Sequence, residues 1–286
     1  MNLVCFPISP FSGFKRYIFG VLSVLQVLGY WNLFYQTRDY DKYDPSKNTD
    51  SREKISLWEM VSQVAGNRQL LFLISADTMT NVSLFSLSTF AIYYFKYVSN
   101  YEVWMAYHTF ALSIISFSSS LISPFVVKRL GKKRTYLFAV SWSTAAFLVL
   151  RMFGASSPYI YTTILCVSGI ISGTAGPMRQ AMYMDAAEYG YYKTGKDASA
   201  FVMSMFTVPI KVGIALATTM TGYGLAIIGY VPDMAATPEF TSSLMNIICF
   251  IPAGCGVIAI TIMSFYSLTE DNLSRYMEAN RLKRGA

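Results

Sequence analysis

Hydrophobic residues in this chain gather into seven long runs that are separated by shorter polar connections. Each run is long enough for an α-helix, which rises about 1.5 Å per residue, to cross a hydrocarbon core of about 30 Å. We number the runs as spans one to seven, at 17–35, 70–94, 101–127, 135–153, 159–178, 199–227 and 244–266. The pattern predicts an all-α integral membrane protein with about seven transmembrane helices.

A polar segment, 36–55, follows span one and contains almost no aliphatic residues, which is typical of a flexible linker. Ser56 and Glu59 then have the spacing of a capping box, and apolar positions repeat at helical intervals up to Gly66. We therefore predict a short amphipathic helix on the membrane surface. The predicted domains are a transmembrane helix in 1–35, a linker with the amphipathic helix in 36–69, and six transmembrane helices with a tail in 70–286.

Composition and charge support a membrane protein with a defined orientation. The chain is 53% hydrophobic and 14% charged, whereas soluble domains have about 25% charged residues. Most of its 23 Lys and Arg residues lie in connections one–two, three–four and five–six and in the tail, which share one side if the chain zigzags. The positive-inside rule makes that side cytoplasmic, with the N-terminus outside and the C-terminus inside. The net charge of +7 thus reflects topology, and we predict no nucleic-acid partner.

Motifs of soluble enzymes are missing from the sequence. It has no phosphate-binding loop, no GxGxxG and no HExxH, and its single histidine limits any catalytic triad. The four cysteines have no CxxC spacing. We therefore predict no enzyme activity, no catalytic residues, no bound cofactor and no metal site.

Lys211 is the strongest single candidate for a functional residue. It lies 12 positions into span six, about 18 Å along the helix and therefore near the middle of the bilayer. An ammonium group there costs at least about 2.5 kcal/mol, so it needs a polar partner or a water-filled cavity. Thr207 lies one turn earlier and Ser204 continues the same face. A structural ion pair and a role at a substrate or coupling-ion site are both open, and the cost of the charge favours the second.

Two further groups of charged residues are candidates. Asp77 and Asn81 are four residues apart on one face of span two, where the acid either binds a cation or interacts with the helix dipole. The connection between spans five and six, opposite a basic run in connection three–four, is either a solvated surface or a gate of weak, reversible ion pairs. The candidate gate residues are Asp185, Glu188, Lys193, Lys196 and Arg129.

Small and polar residues form stripes in spans three and five. The hydroxyl stripe of span three is compatible with helix-to-helix hydrogen bonds or with the wall of a watery cavity. It consists of Thr109, Ser113, Ser116, Ser120 and Ser123. Gly169, Gly173 and Gly176 in span five favour close helix packing.

Several motifs together resemble one family of transporters. The segment MDAAEYGYYKTG at 184–195 precedes a span with Thr207 and Lys211 that closes in IGY at 228–230. YYFKYV at 93–98 and VKRLGKKR at 127–134 add to the pattern. In order and spacing these pieces resemble the melibiose-permease-like, glycoside-pentoside-hexuronide:cation symporter family of the major facilitator superfamily.

The resemblance implies a fold of two six-helix halves, of which this chain would supply the C-terminal half plus the preceding helix. It implies alternating access, with Lys211 and Thr207 near the cation and sugar sites and with Asp185, Glu188 and Lys193 in a cytoplasmic gate. Two positions depart from the family pattern: Tyr191 replaces a glutamate, and the basic Lys196 is followed by Asp197. The family's acidic cation ligands belong to the N-terminal half, outside the part matched here.

The predicted function is therefore symport of a glycoside or related sugar across the cell membrane, coupled to Na⁺ or H⁺, by a partial or split transporter. The predicted partners are the sugar, the lipid bilayer and a separate N-terminal half. Two alternatives stay open. One is a major facilitator half with another cargo, such as a lipid or drug, and the other is a seven-helix membrane protein that does not transport.

Overall fold

The computed structural model describes residues 12–38, 56–232 and 234–285, in which every regular element is a helix. The helices are α1 (Ser12–Thr37), α2 (Leu57–Gly66), α3 (Arg68–Tyr93, continued by a π-helical turn, Tyr94–Val98), α4 (Trp104–Leu130), α5 (Lys132–Phe153), α6 (Pro158–Ser172), α7 (Ala175–Thr194), α8 (Ser199–Ser204), α9 (Thr207–Ile227), α10 (Pro238–Ser264) and α11 (Glu270–Gly285).

The chain divides into two compact units, Met1–Glu53 and Lys54–Ala286. The first contains α1, a helix of 26 residues that includes predicted span one. Most of the predicted linker, 39–55, lies outside the described residues. The predicted domain limits at 35 and 69 stay a prediction.

Six helical segments in the described part of the chain are long and apolar enough to cross a membrane. They are Arg68–Val98, Trp104–Leu130, Lys132–Phe153, Pro158–Thr194, Ser199–Ile227 and Pro238–Ser264. They coincide with predicted spans two to seven and confirm the all-α membrane architecture. Helix α1 is not among the six, so the transmembrane character of span one stays a prediction.

Helix α2 begins and ends as the sequence pattern indicates. The Ser56 backbone N–H donates to the Glu59 carboxylate at 3.1 Å, which forms half of the expected capping box. Trp58 and Val61 are exposed on this helix, as expected of a helix that lies on a membrane surface. Asn67 separates α2 from α3, and its side-chain amide donates to the Ala186 carbonyl at 2.8 Å. This bond fixes the start of α3 against α7.

Helix α3 packs along α9 and α10, and α10 packs against α5. The approach of α3 and α9 is closest at Gly213, where an added Cβ would lie 2.6 Å from the Asn81 Cβ. Any side chain larger than hydrogen would force the two helices apart. Glycine at this position therefore determines the contact between spans two and six.

One of the predicted span-three hydroxyls forms a helix-to-helix hydrogen bond, and the cavity role of the others stays a prediction. Ser123 is buried and donates to the Thr174 carbonyl at 2.7 Å, and its neighbour Ser119 donates to the Gly169 carbonyl at 2.9 Å. A Cβ on Gly173 would lie 2.6 Å from the Ser119 Cβ, and one on Gly169 would lie 2.9 Å from Ile115, so these two glycines permit close packing. Gly176 does not take part, since a Cβ there would meet nothing within 4 Å. The other members of the stripe, Thr109, Ser113, Ser116 and Ser120, are exposed.

Two spans are interrupted helices. Span five consists of α6 and α7, which meet at Gly173 and Thr174, and span six consists of α8 and α9, which meet at Met205 and Phe206. Helix α7 extends to Thr194 and ends at Gly195, whose φ of 72° only glycine adopts without strain. The predicted connection between spans five and six, 179–198, is therefore too long, because helix α7 occupies most of it. Its acidic residues lie on a helix, because the chain from 175 to 194 continues the helical pattern past the apolar run.

Candidate functional site

The predicted pair Asp77 and Asn81 forms part of a buried charge cluster between α3 and α7. Asp77 is fully buried, nine positions after the start of α3 and therefore about 14 Å along it. The Asn81 amide donates to the Asp77 carboxylate at 3.2 Å, and Tyr183 donates to its other oxygen at 3.4 Å. Arg179 donates to the same carboxylate in a very short ion pair. Both carboxylate oxygens of Asp77 thus have partners, from α3 and from α7.

Arg179 is a site residue that the sequence analysis assigns to a connection. Its side chain is only 16% exposed, and its Nε has no hydrogen-bond partner in the described part of the chain. The signal that could have placed it is the helical continuation through Met178 and Met182, which are buried on one face of α7. Reading α7 as a helix to Gly195 puts Arg179 in the interior.

Lys211 lies on the exposed face of α9, opposite the packing face that contains Gly213. No described residue provides it with a hydrogen bond or an ion pair. Ser204 and Thr207 are exposed on the same side, as the spacing predicts. Their hydroxyls donate to backbone carbonyls within the span, at 2.6 Å from Ser204 to Phe201 and at 2.9 Å from Thr207 to Ser204.

One end of the six-span bundle is closed by polar links, and we call it the charged end. Lys132 at the start of α5 donates to both Asp185 carboxylate oxygens, at 2.6 and 2.8 Å. Asp185 therefore does contact the basic run, as a gate would require, but through Lys132. Arg129 lines a cavity at the same end, and no described residue donates to it or accepts from it.

The other predicted gate residues have different partners. Glu188 accepts two bonds from the Asn280 amide of α11, at its backbone carbonyl and its carboxylate, both at 2.9 Å. Lys193 donates to the Gly66 carbonyl at 3.3 Å, and Lys196 pairs with Glu59 at 2.9 Å. These contacts hold α11 and α2 against the charged end.

The opposite end, which we call the aromatic end, is closed by rings around the π-helical turn of α3. The Tyr94 ring stacks on Tyr161 with centroids 3.7 Å apart, and its hydroxyl donates to the Gly154 carbonyl at 2.6 Å. The Tyr97 and Tyr230 hydroxyls lie 3.3 Å apart, and this bond, with burial, raises the pKa of Tyr230 to about 12. The Tyr230 hydroxyl thus stays neutral at physiological pH.

The single histidine belongs to this end. The Trp104 indole N–H donates to the Thr162 hydroxyl at 3.3 Å, and that hydroxyl lies 3.1 Å from His108 Nδ1. The Thr162 hydroxyl can both donate and accept, so the donor in its bond with Nδ1 depends on the tautomer of the ring. His108 is a satisfied packing residue here.

Residues 10–270 match the family described as MFS/sugar transport protein. A putative 2,3-dihydroxypropane-1-sulfonate exporter of Escherichia coli (strain K12) is 29% identical over 269 residues, which cover 92% of this chain and 57% of that protein. The uncharacterized symporter YjmB of Bacillus subtilis (strain 168) is 29% identical over 230 residues, 79% of this chain and 50% of that protein. A putative sulfoquinovose importer of Escherichia coli (strain K12) is 28% identical over 235 residues, 80% and 49% of the two chains.

The chain spans about half the length of the curated relatives it matches. Those relatives carry the names of transporters, which confirms the prediction that the chain is not an enzyme. The family match covers nearly the whole chain and all six described spans, and it confirms the resemblance drawn from the motifs. The chain is therefore a multi-pass membrane protein that belongs to the MFS/sugar transport protein family.

Proposed function

We propose that this chain is the C-terminal half of a cation-coupled sugar symporter and that Lys211 faces its transport cavity. The observation that carries the proposal is the exposure of Lys211 near the middle of span six without any described partner. Contact with lipid would cost its ammonium at least about 2.5 kcal/mol. The face that presents Lys211 therefore borders water or a second protein half.

The surroundings of Lys211 suit a ligand that carries hydroxyl groups. Ser204, Thr207 and Thr218 line the same exposed face, and each hydroxyl donates to a backbone carbonyl of its own span. Each oxygen thus keeps lone pairs that accept hydrogen bonds from a sugar. The helix break at Met205 and Phe206 is the kind of interruption that transporters place beside their binding sites.

The proposed substrate class is a sugar or glycoside that carries an acidic group. The relatives named above are a putative sulfonate exporter and a putative sulfoquinovose importer, and both named compounds are sulfonates. An ammonium in a cavity of low dielectric attracts such an anion more strongly than it does in water. In this proposal Lys211 binds the acid group and the hydroxyl residues bind the ring.

Cation coupling, by Na⁺ or H⁺, is proposed to require a six-helix N-terminal half, on the same polypeptide or on a separate one. In this conformation the Asp77 carboxylate binds Arg179, Tyr183 and Asn81, and the Arg179 guanidinium already balances its charge. The coupling carboxylates are therefore proposed to lie in the other half. Asp77 and Arg179 instead fix span two to span five.

The test is uptake of a sulfonated sugar by cells that express this chain with a matching N-terminal half. Lys211→Met removes the charge at nearly constant length, and Lys211→Arg keeps it. We expect Lys211→Met to lower uptake at least tenfold and Lys211→Arg to lower it much less, with equal amounts of protein in the membrane. Arg275→Gln, an exposed change on α11, is the control. Wild-type uptake by Lys211→Met would refute the proposal.

We also propose that the charged end faces the cytoplasm, because the basic residues of connections three–four and five–six lie there. Reporter fusions after Ala286 should report a cytoplasmic location. A fusion that is active only outside the cytoplasm would reverse the orientation.

A further inference from the structure

A cavity of about 340 Å³ opens at the charged end, away from the exposed face of α9. Its walls are the connection between α4 and α5, one side of α7, and the segment between α10 and α11. Five basic residues line it, namely Lys128, Arg129, Lys132, Lys133 and Arg134. Only two acids, Asp185 and Glu270, line it with them. The cavity therefore has a strong excess of positive charge.

The contacts within the cavity show which of these charges are already balanced. Lys132 is paired with Asp185, and its backbone N–H donates to Glu270 at 3.2 Å. Lys133 donates to backbone carbonyls at the end of α10, including Ser264 at 3.0 Å. The remaining three, Lys128, Arg129 and Arg134, are exposed and receive no hydrogen bond or ion pair from the described residues. These three cations can bind an anion without breaking an existing bond.

The cavity lies at the level where two transmembrane segments end. Helix α4 ends at Leu130 and α5 begins at Lys132, so in the proposed orientation the cavity borders the headgroup layer of the cytoplasmic leaflet. Exposed apolar side chains follow on the same two helices toward the membrane interior, with Phe125 on α4 and Phe138 on α5. A ligand here meets positive charge at one end and a hydrocarbon surface below it.

We infer that this cavity binds the phosphate headgroup of an anionic phospholipid. Guanidinium groups form paired hydrogen bonds with phosphate oxygens, and a basic cavity between helices at the cytoplasmic face suits an anionic lipid of that leaflet. A free phosphate would satisfy the charges but would not cover Phe125 or Phe138. The inference uses the proposed orientation but is independent of sugar transport.

The test measures lipid retention by the purified chain with native mass spectrometry. The chain in mild detergent is given equal amounts of phosphatidylglycerol and phosphatidylcholine. We expect the wild type to retain phosphatidylglycerol in preference to phosphatidylcholine. The double variant Arg129→Gln, Arg134→Gln should lose that preference about tenfold, because each basic residue near a lipid surface adds to the affinity for anionic lipid. The matched control is Arg275→Gln, Arg281→Gln, which removes the same charge from exposed positions of α11.

A second double variant and a thermal unfolding measurement test the same cavity. If the double variant fails to fold, Arg129→Lys, Arg134→Lys should fold and retain phosphatidylglycerol, since the charges persist. Thermal unfolding should shift upward with phosphatidylglycerol and not with inorganic phosphate at the same concentration. Equal retention by the cavity variant, equal loss in the control, or equal protection by inorganic phosphate would each overturn the inference. Because none of these readouts needs transport, failure here leaves the proposed function standing.

Discussion

The aromatic end and the charged end of the bundle are closed by different interactions. At the aromatic end, buried rings such as Tyr94 and Tyr161 are in contact with one another and are linked by neutral hydrogen bonds. At the charged end, partly exposed ion pairs such as Lys132–Asp185 and Lys196–Glu59 connect helices above a buried apolar core. Exposed ion pairs contribute about 0 to 1 kcal/mol each and exchange partners readily, whereas buried rings contribute several times more.

This difference in interactions indicates which end of the bundle can open at the lower free-energy cost. Separating the aromatic end would expose stacked rings together, at a cost that no water contact offsets. Breaking the ion pairs at the surface of the charged end replaces them by solvated charges, at a smaller cost per contact. We therefore expect the charged end to move in a transport cycle and the aromatic end to stay closed in this half.

The largest effect is expected from Tyr161→Ala at the aromatic end. Tyr161 is fully buried and contacts Tyr94, Phe95 and His108, so its loss leaves a cavity worth about 3 kcal/mol of unfolding free energy. Unfolding of the purified chain by a denaturing detergent measures this.

Tyr161→Phe is the matched control for the ring. The Tyr161 hydroxyl is buried and has no hydrogen-bond partner among the described residues, so its removal should be neutral or slightly stabilising. Tyr223→Ala, at an exposed position, controls for loss of an aromatic residue. A small effect of Tyr161→Ala would mean that the rings do not hold the aromatic end together.

The next effect concerns the buried cluster beneath the charged end. Asp77→Asn leaves the Arg179 guanidinium without its carboxylate in a mostly buried site, which should cost about 3 kcal/mol of unfolding free energy. The double variant Asp77→Asn, Arg179→Gln should cost less than the single one, because no unpaired charge remains. Glu278→Gln, at an exposed position of α11, is the control and should change little. Equal cost of the single and double variants would show that the pair is not coupled.

A smaller effect on stability, with a large effect on conformation, is expected from Asp185→Asn. It breaks the Lys132 pair, which is partly exposed, and should cost about 1 kcal/mol. In an assembled transporter it should make cysteines placed at Ser116 or Ser120 more reactive toward a reagent from the cytoplasmic side. Lys193→Gln should raise this reactivity less, since the hydrogen bond that Lys193 forms among the described residues is to the Gly66 carbonyl. Unchanged reactivity would assign Asp185 to the solvated surface.

The sequence predicted the elements well because the membrane constrains them strongly. Runs of apolar residues mark spans two to seven, and the spacing of Lys211, Thr207 and Ser204 placed them on one exposed face. The i, i+4 spacing of Asp77 and Asn81 likewise predicted their contact. Each of these inferences needs only the geometry of one helix.

The partners across helices were not predictable in the same way. Arg179 lies 102 positions from Asp77, and nothing local in the sequence selects it. The basic run contains five similar cations, and only the packing of α5 against α7 selects Lys132 over Arg129 for Asp185. Asn280 binds Glu188 because α11 packs against α7. The polar composition of the tail does not predict this packing. Pairing between spans depends on packing that single-helix periodicity does not contain.

The smallest effect is a pH dependence at the rim of the charged end. Hydrogen bonds from Lys196 and from the Ser56 backbone hold the pKa of Glu59 below its ordinary value of 4.5. Because the pKa is lower in the folded state, the stabilisation is fully present above the unfolded value and is lost as the pH falls through the folded one. The contact of α2 with the Gly195 turn should thus be constant from neutral pH to about 4.5 and loosen only below it.

Trp58, exposed beside Glu59, can report this by its fluorescence in a chain whose other tryptophans are replaced by phenylalanine. We expect an acid transition below pH 4.5 that is absent in Glu59→Gln, where the contact is already lost. The aromatic end should show no transition in this range, since the pKa of Tyr230, which is linked to Tyr97, is raised to about 12. A Trp58 transition near neutral pH, or the same acid transition in Glu59→Gln, would show that the Glu59–Lys196 pair does not hold α2 at the charged end.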